Sequence, residues 1–255
     1  MIDIHSHILP GIDDGSKSME DTMKMLRLTE EDGVETIVAT PHFYRGYYER
    51  SYKDVLELVN NVRHSASEEN IAVNIVSAQE VFLDRHTVEN FKSGKIGCVE
   101  GTNYMLVELP MVNVPKNALD IIYELEIRGV HPILAHPERY TYIIDTPSKI
   151  NEFINEKCLL QINTGSILGI FGKKVKKTAE FLISSGVCSF IASDSHSTGG
   201  RCPGISKALE QASRFNKDIT GQVLDNCKKM LKNEIIQQPQ ERIKQRRGIF
   251  SFLRK

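Results

Sequence analysis

Six short apolar runs in this chain end in a histidine, an aspartate or a glutamate. His5-Ser6-His7 follows Ile4, His42 follows Thr40-Pro41, and Glu80 follows Gln79. Glu108 follows Val107, His136 follows Ala135, and Asp194-Ser195-His196 follows Ser193. A seventh run ends in the polar Asn163. Imidazole and carboxylate donors without thiolate suit zinc, manganese or iron rather than a cysteine-type structural zinc site. Gathered in one place, so many carboxylates and imidazoles would strand buried charge unless a cation joined them. With a loop aspartate added, the donors exceed one ion's needs, which implies two or three ions. Close ions can share an activated water and clamp the attacking and leaving oxygens of a phosphoryl group.

Two arginines fit the same chemistry. Arg139 lies in His136-Pro137-Glu138-Arg139, and Arg201 lies five residues after His196. A guanidinium fork grips phosphate oxygens and offsets charge as it develops. Taken singly, each arginine could equally serve a surface salt bridge.

These residues need elements that bring them to one end of the molecule. The apolar runs span 2–4, 35–39, 73–78, 104–107, 132–135, 159–162 and 189–192, and several are β-branched or aromatic with few charges. Strands buried on both faces of a parallel sheet read this way. Amphipathic patterns lie between them: Met19, Met23 and Leu26; Val55, Leu58, Val59 and Val62; Ile121, Ile122 and Leu125; Val175, Ala179, Leu182 and Ile183. Ser18 with Asp21 resembles a capping box. Gly33, Gly129 and Gly186 each follow a helical pattern and precede a strand, as C-terminal stops do. Strands alternating with helices predict an α/β fold, either a βα barrel or a doubly wound sheet. In a barrel the strand C-termini share one face, where active sites are built.

Composition sets limits. The 255 residues are 40% hydrophobic and 25% charged, and the net charge of -1 does not point to nucleic acid as partner. Five scattered cysteines without a CxxC pair imply a reducing, cytoplasmic setting. The start, MIDIHSH, does not read as a signal peptide, and no apolar run approaches the roughly 18 residues of a membrane span. A Cys-x5-Arg phosphatase is excluded, because the positions six after each cysteine hold Tyr104, Thr164, Asp194, Ala208 and Asn233. His64, His86 and His131 fall outside the constellation and read as structural.

The ordered set His5-Ser6-His7, His42, Glu80, Glu108, His136 and Asp194-Ser195-His196 resembles the PHP (polymerase and histidinol phosphatase) superfamily over roughly residues 1–200. Within it, DIHSHILPGIDDGS at 3–16, ATPH at 39–42, AHPER at 135–139 and SDSHSTGGR at 193–201 resemble the bacterial protein-tyrosine phosphatases of capsule and exopolysaccharide operons. The resemblance implies a distorted (β/α)7 TIM-like barrel of PHP type over 1–237, usually manganese-dependent, with Fe, Zn or Co as substitutes. It implies one ion among His5, His7, Glu80 and Asp194. Glu80 would bridge to a second ion held by Glu108 and His136, and Asp14, His42 and His196 would hold a third. Asp13 is the neighbour that complicates the Asp14 assignment. Arg139 and Arg201 would bind phosphate. The implied substrate is the phosphorylated tyrosine cluster of a membrane-associated tyrosine autokinase.

On this reading an activated water attacks phosphorus in line, and His42 or His196 protonates the leaving tyrosyl oxygen. Tyr47 and Tyr48, in the aromatic loop after His42, could stack on a phosphotyrosyl ring, or the loop could be packed by its own tyrosines. A basic tail at 238–255 carries Arg242, Lys244, Arg246, Arg247, Arg254 and Lys255 among Ile249, Phe250, Phe252 and Leu253. Such a tail suits peripheral contact with the inner membrane face, or else solvent or a second copy. The alternatives to a tyrosine phosphatase are a small-molecule phosphatase acting on histidinol phosphate and a non-catalytic kinase-binding scaffold. Loss of ligands would mark the scaffold, and none is lost. The oligomeric state stays open between monomer and homodimer.

Overall fold

The computed structural model describes residues 1–238 and 242–244. It is an α/β fold whose strands pair in parallel throughout the two sheets. The strands are β1 (Ile2–Ser6), β2 (Thr36–Ala39), β3 (His42–Phe43), β4 (Asn74–Ser77), β5 (Glu80–Phe82), β6 (Tyr104–Glu108), β7 (His131–Ala135), β8 (Leu159–Asn163) and β9 (Phe190–Ala192). One sheet has the order β1-β2-β4, and the other β3-β5-β6-β7-β8-β9.

All seven apolar runs of the sequence are strands. The structure adds β3 and β5, short strands that begin at His42 and Glu80. Only Thr40-Pro41 separates β2 from β3, and only Ala78-Gln79 separates β4 from β5. Pro41 has no N–H to give the ladder, so the pairing lapses there and resumes in the second sheet. Beyond the break, His42 pairs with Glu80 and Phe82 with Glu108. The first and last strands also meet. Asp194 N–H donates to His5 O at 2.9 Å, and His7 N–H donates to Ser195 O at 2.8 Å.

Helices Met19–Glu31 and Tyr52–Glu68 pack on β2 and β4. Met25, Leu26, Val55, Val59, Ile37 and Ile75 form a core of their own there. Ser18 Oγ accepts the Asp21 N–H at 3.2 Å, but the reciprocal capping box is at Ser51 and Asp54. Gly33, Gly129 and Gly186 take positive φ of 78°, 84° and 71°, as expected of helix stops. A larger core lies along the remaining strands and includes Val38, Tyr104, Leu106, Leu134, Ile162 and Phe190. At about 1.5–3 kcal/mol per buried large aliphatic or aromatic side chain, these two cores fix where the strand ends sit.

Of the expected tail, residues 239–241 and 245–255, with the membrane-contact reading that rests on them, lie outside the described residues. Ile243 is buried, and its backbone exchanges hydrogen bonds with the Asn151 side chain at 2.8 and 3.0 Å.

Candidate metal centre

The strand ends and the loop after β1 bring His5, His7, Asp14, His42, Glu80, Glu108, His136, Asp194 and His196 together. His5 Nε2 and His7 Nε2 are 3.2 Å apart. Each is 3.3 Å from Glu80 Oε2, and they lie 3.5 and 3.4 Å from Asp194 Oδ1. Glu80 Oε1 faces His136 Nε2 at 2.9 Å, and Glu108 Oε1 lies 3.6 Å from the same nitrogen. His42 Nδ1 is 3.0 Å from Glu80 Oε2 and 3.9 Å from Glu108 Oε2. Asp14 Oδ1 is 3.4 Å from both His42 Nε2 and His196 Nε2.

These spacings fit shared cations. Two donors each about 2.1 Å from one ion, at tetrahedral or octahedral angles, lie about 3.0–3.4 Å from each other. Four donor groups meet within 4.8 Å: His7, Asp14, His42 and His196; His5, His7 and Glu80; His5, His136 and Asp194; His42, Glu80 and Glu108. Glu80 Oε2, Asp194 Oδ1 and His196 Nε2 are buried without a hydrogen-bond partner among the described residues. Buried carboxylate oxygens left unpaired are costly, and a cation is the partner this donor set accepts.

The electrostatics point the same way. Burial, then the carboxylates of Glu80 and Asp194, push Glu108 well above the usual carboxylate range. Burial also raises Asp194, but His5, His7, His136 and Arg201 outweigh it and hold the carboxylate well below its usual range. Burial draws the His136 imidazole down to about 4, so the ring is neutral and its lone pair is available.

Backbone geometry aims these groups. His136 and Asp194 occupy the left-handed region with φ of 34° and 52°. Non-glycine residues adopt it at a cost of about 1–3 kcal/mol, and such residues cluster at functional sites. The loop carrying Asp13 and Asp14 folds back over His7, and Ser16 N–H donates to His7 O at 3.0 Å. A Cβ on Gly15 would come within 2.1 Å of that oxygen, so only glycine permits the approach.

Sequence reasoning named Asp13 and Asn163 but missed their role behind the donors, and it missed Gln161 altogether. Asp13 Oδ2 is 2.8 Å from His7 Nδ1 and accepts the His42 N–H at 3.0 Å, while Asp14 reaches the cluster itself. On β8, Gln161 Oε1 meets His5 Nδ1 at 2.9 Å, and Gln161 Nε2 donates to Asn163 Oδ1 at 2.8 Å. Asn163 Nδ2 in turn donates to Asp194 Oδ2 at 2.5 Å. A glutamine inside the buried run LLQIN was the signal, because a buried amide needs partners.

Arg139 Nη1 and Arg201 Nη2 reach Asp194 Oδ2 at 3.2 and 2.6 Å. Their guanidinium carbons lie 4.6 and 5.9 Å from the Phe171 ring centroid. In the aromatic loop, Tyr48 stacks on His42 with centroids 5.8 Å apart and planes 14° apart. Tyr47 packs on Tyr44, is 73% exposed, and has no contact with the donors among those described. His64 is an exposed helix residue, His86 precedes a short helix, and His131 begins β7 at the end away from the cluster.

Comparison with known proteins follows the same lines. A family model described as capsular polysaccharide synthesis, CpsB/CapC, matches residues 1–232. The tyrosine-protein phosphatase YwqE of Bacillus subtilis is 32% identical over 254 residues, which is 99% of this chain and all of that protein. The putative tyrosine-protein phosphatase CapC of Staphylococcus aureus is 33% identical over 92% of this chain and 93% of its own length. A solved structure from work on YwqE of B. subtilis and CpsB of Streptococcus pneumoniae, described as metal-dependent tyrosine phosphatases, superposes with a TM-score of 0.91 at 31% identity. It covers 96% of this chain and 100% of that one. With its His, Asp and Glu donors gathered at the strand ends beside two arginines, the chain belongs to the CpsB/CapC family of capsular polysaccharide synthesis.

Proposed function

We propose that this chain is a metal-dependent protein-tyrosine phosphatase acting on a phosphorylated bacterial tyrosine autokinase, and so regulating capsule or exopolysaccharide synthesis. One observation carries the chemistry: buried donor atoms of Glu80, Asp194 and His196, without a hydrogen-bond partner among the described residues, converge beside two guanidinium groups. The names of YwqE and CapC, and a similarity that spans more than nine tenths of each chain, support tyrosine as the phosphorylated residue. The chain acts in the cytoplasm at the inner membrane face, with basic and apolar residues of the 238–255 tail as its contact. No helix among the described residues is long and apolar enough to cross a membrane.

The strands read as a distorted (β/α)7 TIM-like barrel of PHP type over 1–237. In this reading β2 with β3, and β4 with β5, are each one broken strand, and the contact between His7 and Ser195 joins the ends. His5, His7, Glu80 and Asp194 would hold one ion, Glu80 with Glu108 and His136 a second, and Asp14, His42 and His196 a third. When bound, the ions, manganese by preference and Fe, Zn or Co as substitutes, activate water and neutralise charge on the phosphoryl oxygens.

The chain's own residues do the rest. Arg139 and Arg201 grip the equatorial oxygens as charge builds. Tyr48, stacked on His42, walls the aryl group, and Tyr47 lies at the rim. His42 or His196 delivers the proton to the tyrosyl oxygen as it leaves. Initial rates with manganese on a phosphotyrosine peptide, a phosphoserine peptide and histidinol phosphate test the reading. A strong preference for the phosphotyrosine peptide is expected. Preference for histidinol phosphate would keep the metal chemistry and overturn the regulatory role.

A further inference from the structure

Arg139 and Arg201 come from the turn after β7 and the loop after β9, two strands that flank β8, and their terminal nitrogens converge on one oxygen of Asp194. Two cations so placed repel each other. Phe171 lies against both, with guanidinium carbons 4.6 and 5.9 Å from its ring centroid. An aromatic face attracts a guanidinium and presents a flat surface on which it can lie. Arg201 Nε is buried with no hydrogen-bond partner among the described residues, so the guanidinium is tied to the protein through Nη2 and Asp194 and otherwise rests on the ring.

The ring is itself held. A Cβ on Gly165 would come within 2.9 Å of its edge, so the helix Thr164–Leu168 offers it a fitted floor. Ile170 N–H donates to Gly165 O at 2.8 Å. Gly169 and Gly172, with φ of 91° and 90°, turn the chain on either side of Phe171. No part of this arrangement contributes a donor to the metal cluster.

We propose that Phe171 is a positioning residue, its ring the shared platform that orients Arg139 and Arg201 toward the phosphoryl group. The inference rests on the phosphatase reading above for its purpose, but the platform can be tested without turnover. Phe171→Leu keeps apolar volume and removes the aromatic face, whereas Phe171→Tyr keeps the face.

The experiment measures inorganic phosphate affinity by calorimetry on the manganese-loaded full chain, with kcat and KM on a phosphotyrosine peptide beside it. Phe171→Leu should weaken phosphate binding at least about threefold and lower kcat about tenfold with metal content unchanged, while Phe171→Tyr stays within about twofold. In an Arg139→Ala, Arg201→Ala background, Phe171→Leu should add nothing to the loss of phosphate binding. Gly165→Ala, which pushes on the ring, should weaken phosphate binding in the same direction and serves if Phe171→Leu does not fold. If the wild-type chain hydrolyses no phosphoester but Phe171→Leu still weakens phosphate, the phosphatase reading fails and the platform stands. Unchanged phosphate affinity in the folded variants, an equal loss in Phe171→Tyr, or an additive loss without the arginines overturns the platform.

Discussion

His5 Nδ1 lies 2.9 Å from Gln161 Oε1, and that contact settles which His5 nitrogen faces the cluster. Gln161 gives its amide N–H to Asn163, so its oxygen is the acceptor and His5 Nδ1 is the donor. His5 Nε2 is then the lone pair turned toward Glu80 and Asp194. Groups behind a histidine ligand typically change metal affinity about 10- to 100-fold when removed. Gln161→Leu should weaken manganese binding to that extent, measured by competition with a chelator of known affinity. An unchanged affinity would mean that the β8 amides only fill space.

Asp13 and Asp14 are adjacent in sequence and different in role. Asp14 Oδ1 reaches His42 and His196, whereas Asp13 orients His7 and the His42 backbone from behind. Asp14→Ala should lose one ion per chain when equilibrated with excess manganese. Asp13→Ala should keep the ion count and bind each ion more weakly. Elemental analysis beside a metal titration separates the two, and the reverse pattern would exchange the assignments.

Much of this was legible because a strand end is a strong positional signal. His42, Glu80, His136 and Asp194 each close an apolar run, and parallel strands bring such ends to one side. What lay beyond reach depends on three dimensions. The sequence does not show that His136 and Asp194 sit at positive φ, because neither residue type demands it. The lapse at Pro41 splits one expected run from its ligand and produces β3, a proline effect visible only once the ladder is known. Phe171 follows a helix far from both arginines in sequence, and its contact with them needs the fold. Tyr47 and Tyr48 are neighbours with equal apparent claims, and only the turn between Tyr44 and Tyr48 sends one ring onto His42 and the other outward.

The arginines carry the next prediction. Arg139→Ala and Arg201→Ala should each lower kcat/KM on a phosphotyrosine peptide about 10²- to 10³-fold, as loss of a transition-state donor does. Metal content should stay at the wild-type level. Lysine should not restore the rate, because a point charge cannot replace a planar fork. Variants that retain full rate would place both arginines outside the reaction.

Cysteine chemistry gives a negative control. Burial pushes the Cys98 thiol up to about 12 and raises Cys158, Cys188 and Cys227 further, so none of these is a thiolate near neutral pH. Iodoacetamide treatment should therefore leave more than about half the activity, since alkylation needs the thiolate. Prompt and complete inactivation would point to a nucleophilic cysteine.

The most direct measurement is phosphate release from a phosphotyrosine peptide by chelated protein as manganese is added back, with bound ions counted in parallel. The account predicts no turnover without metal and full recovery at two or three ions per chain. Turnover that persists in the metal-free protein would contradict it.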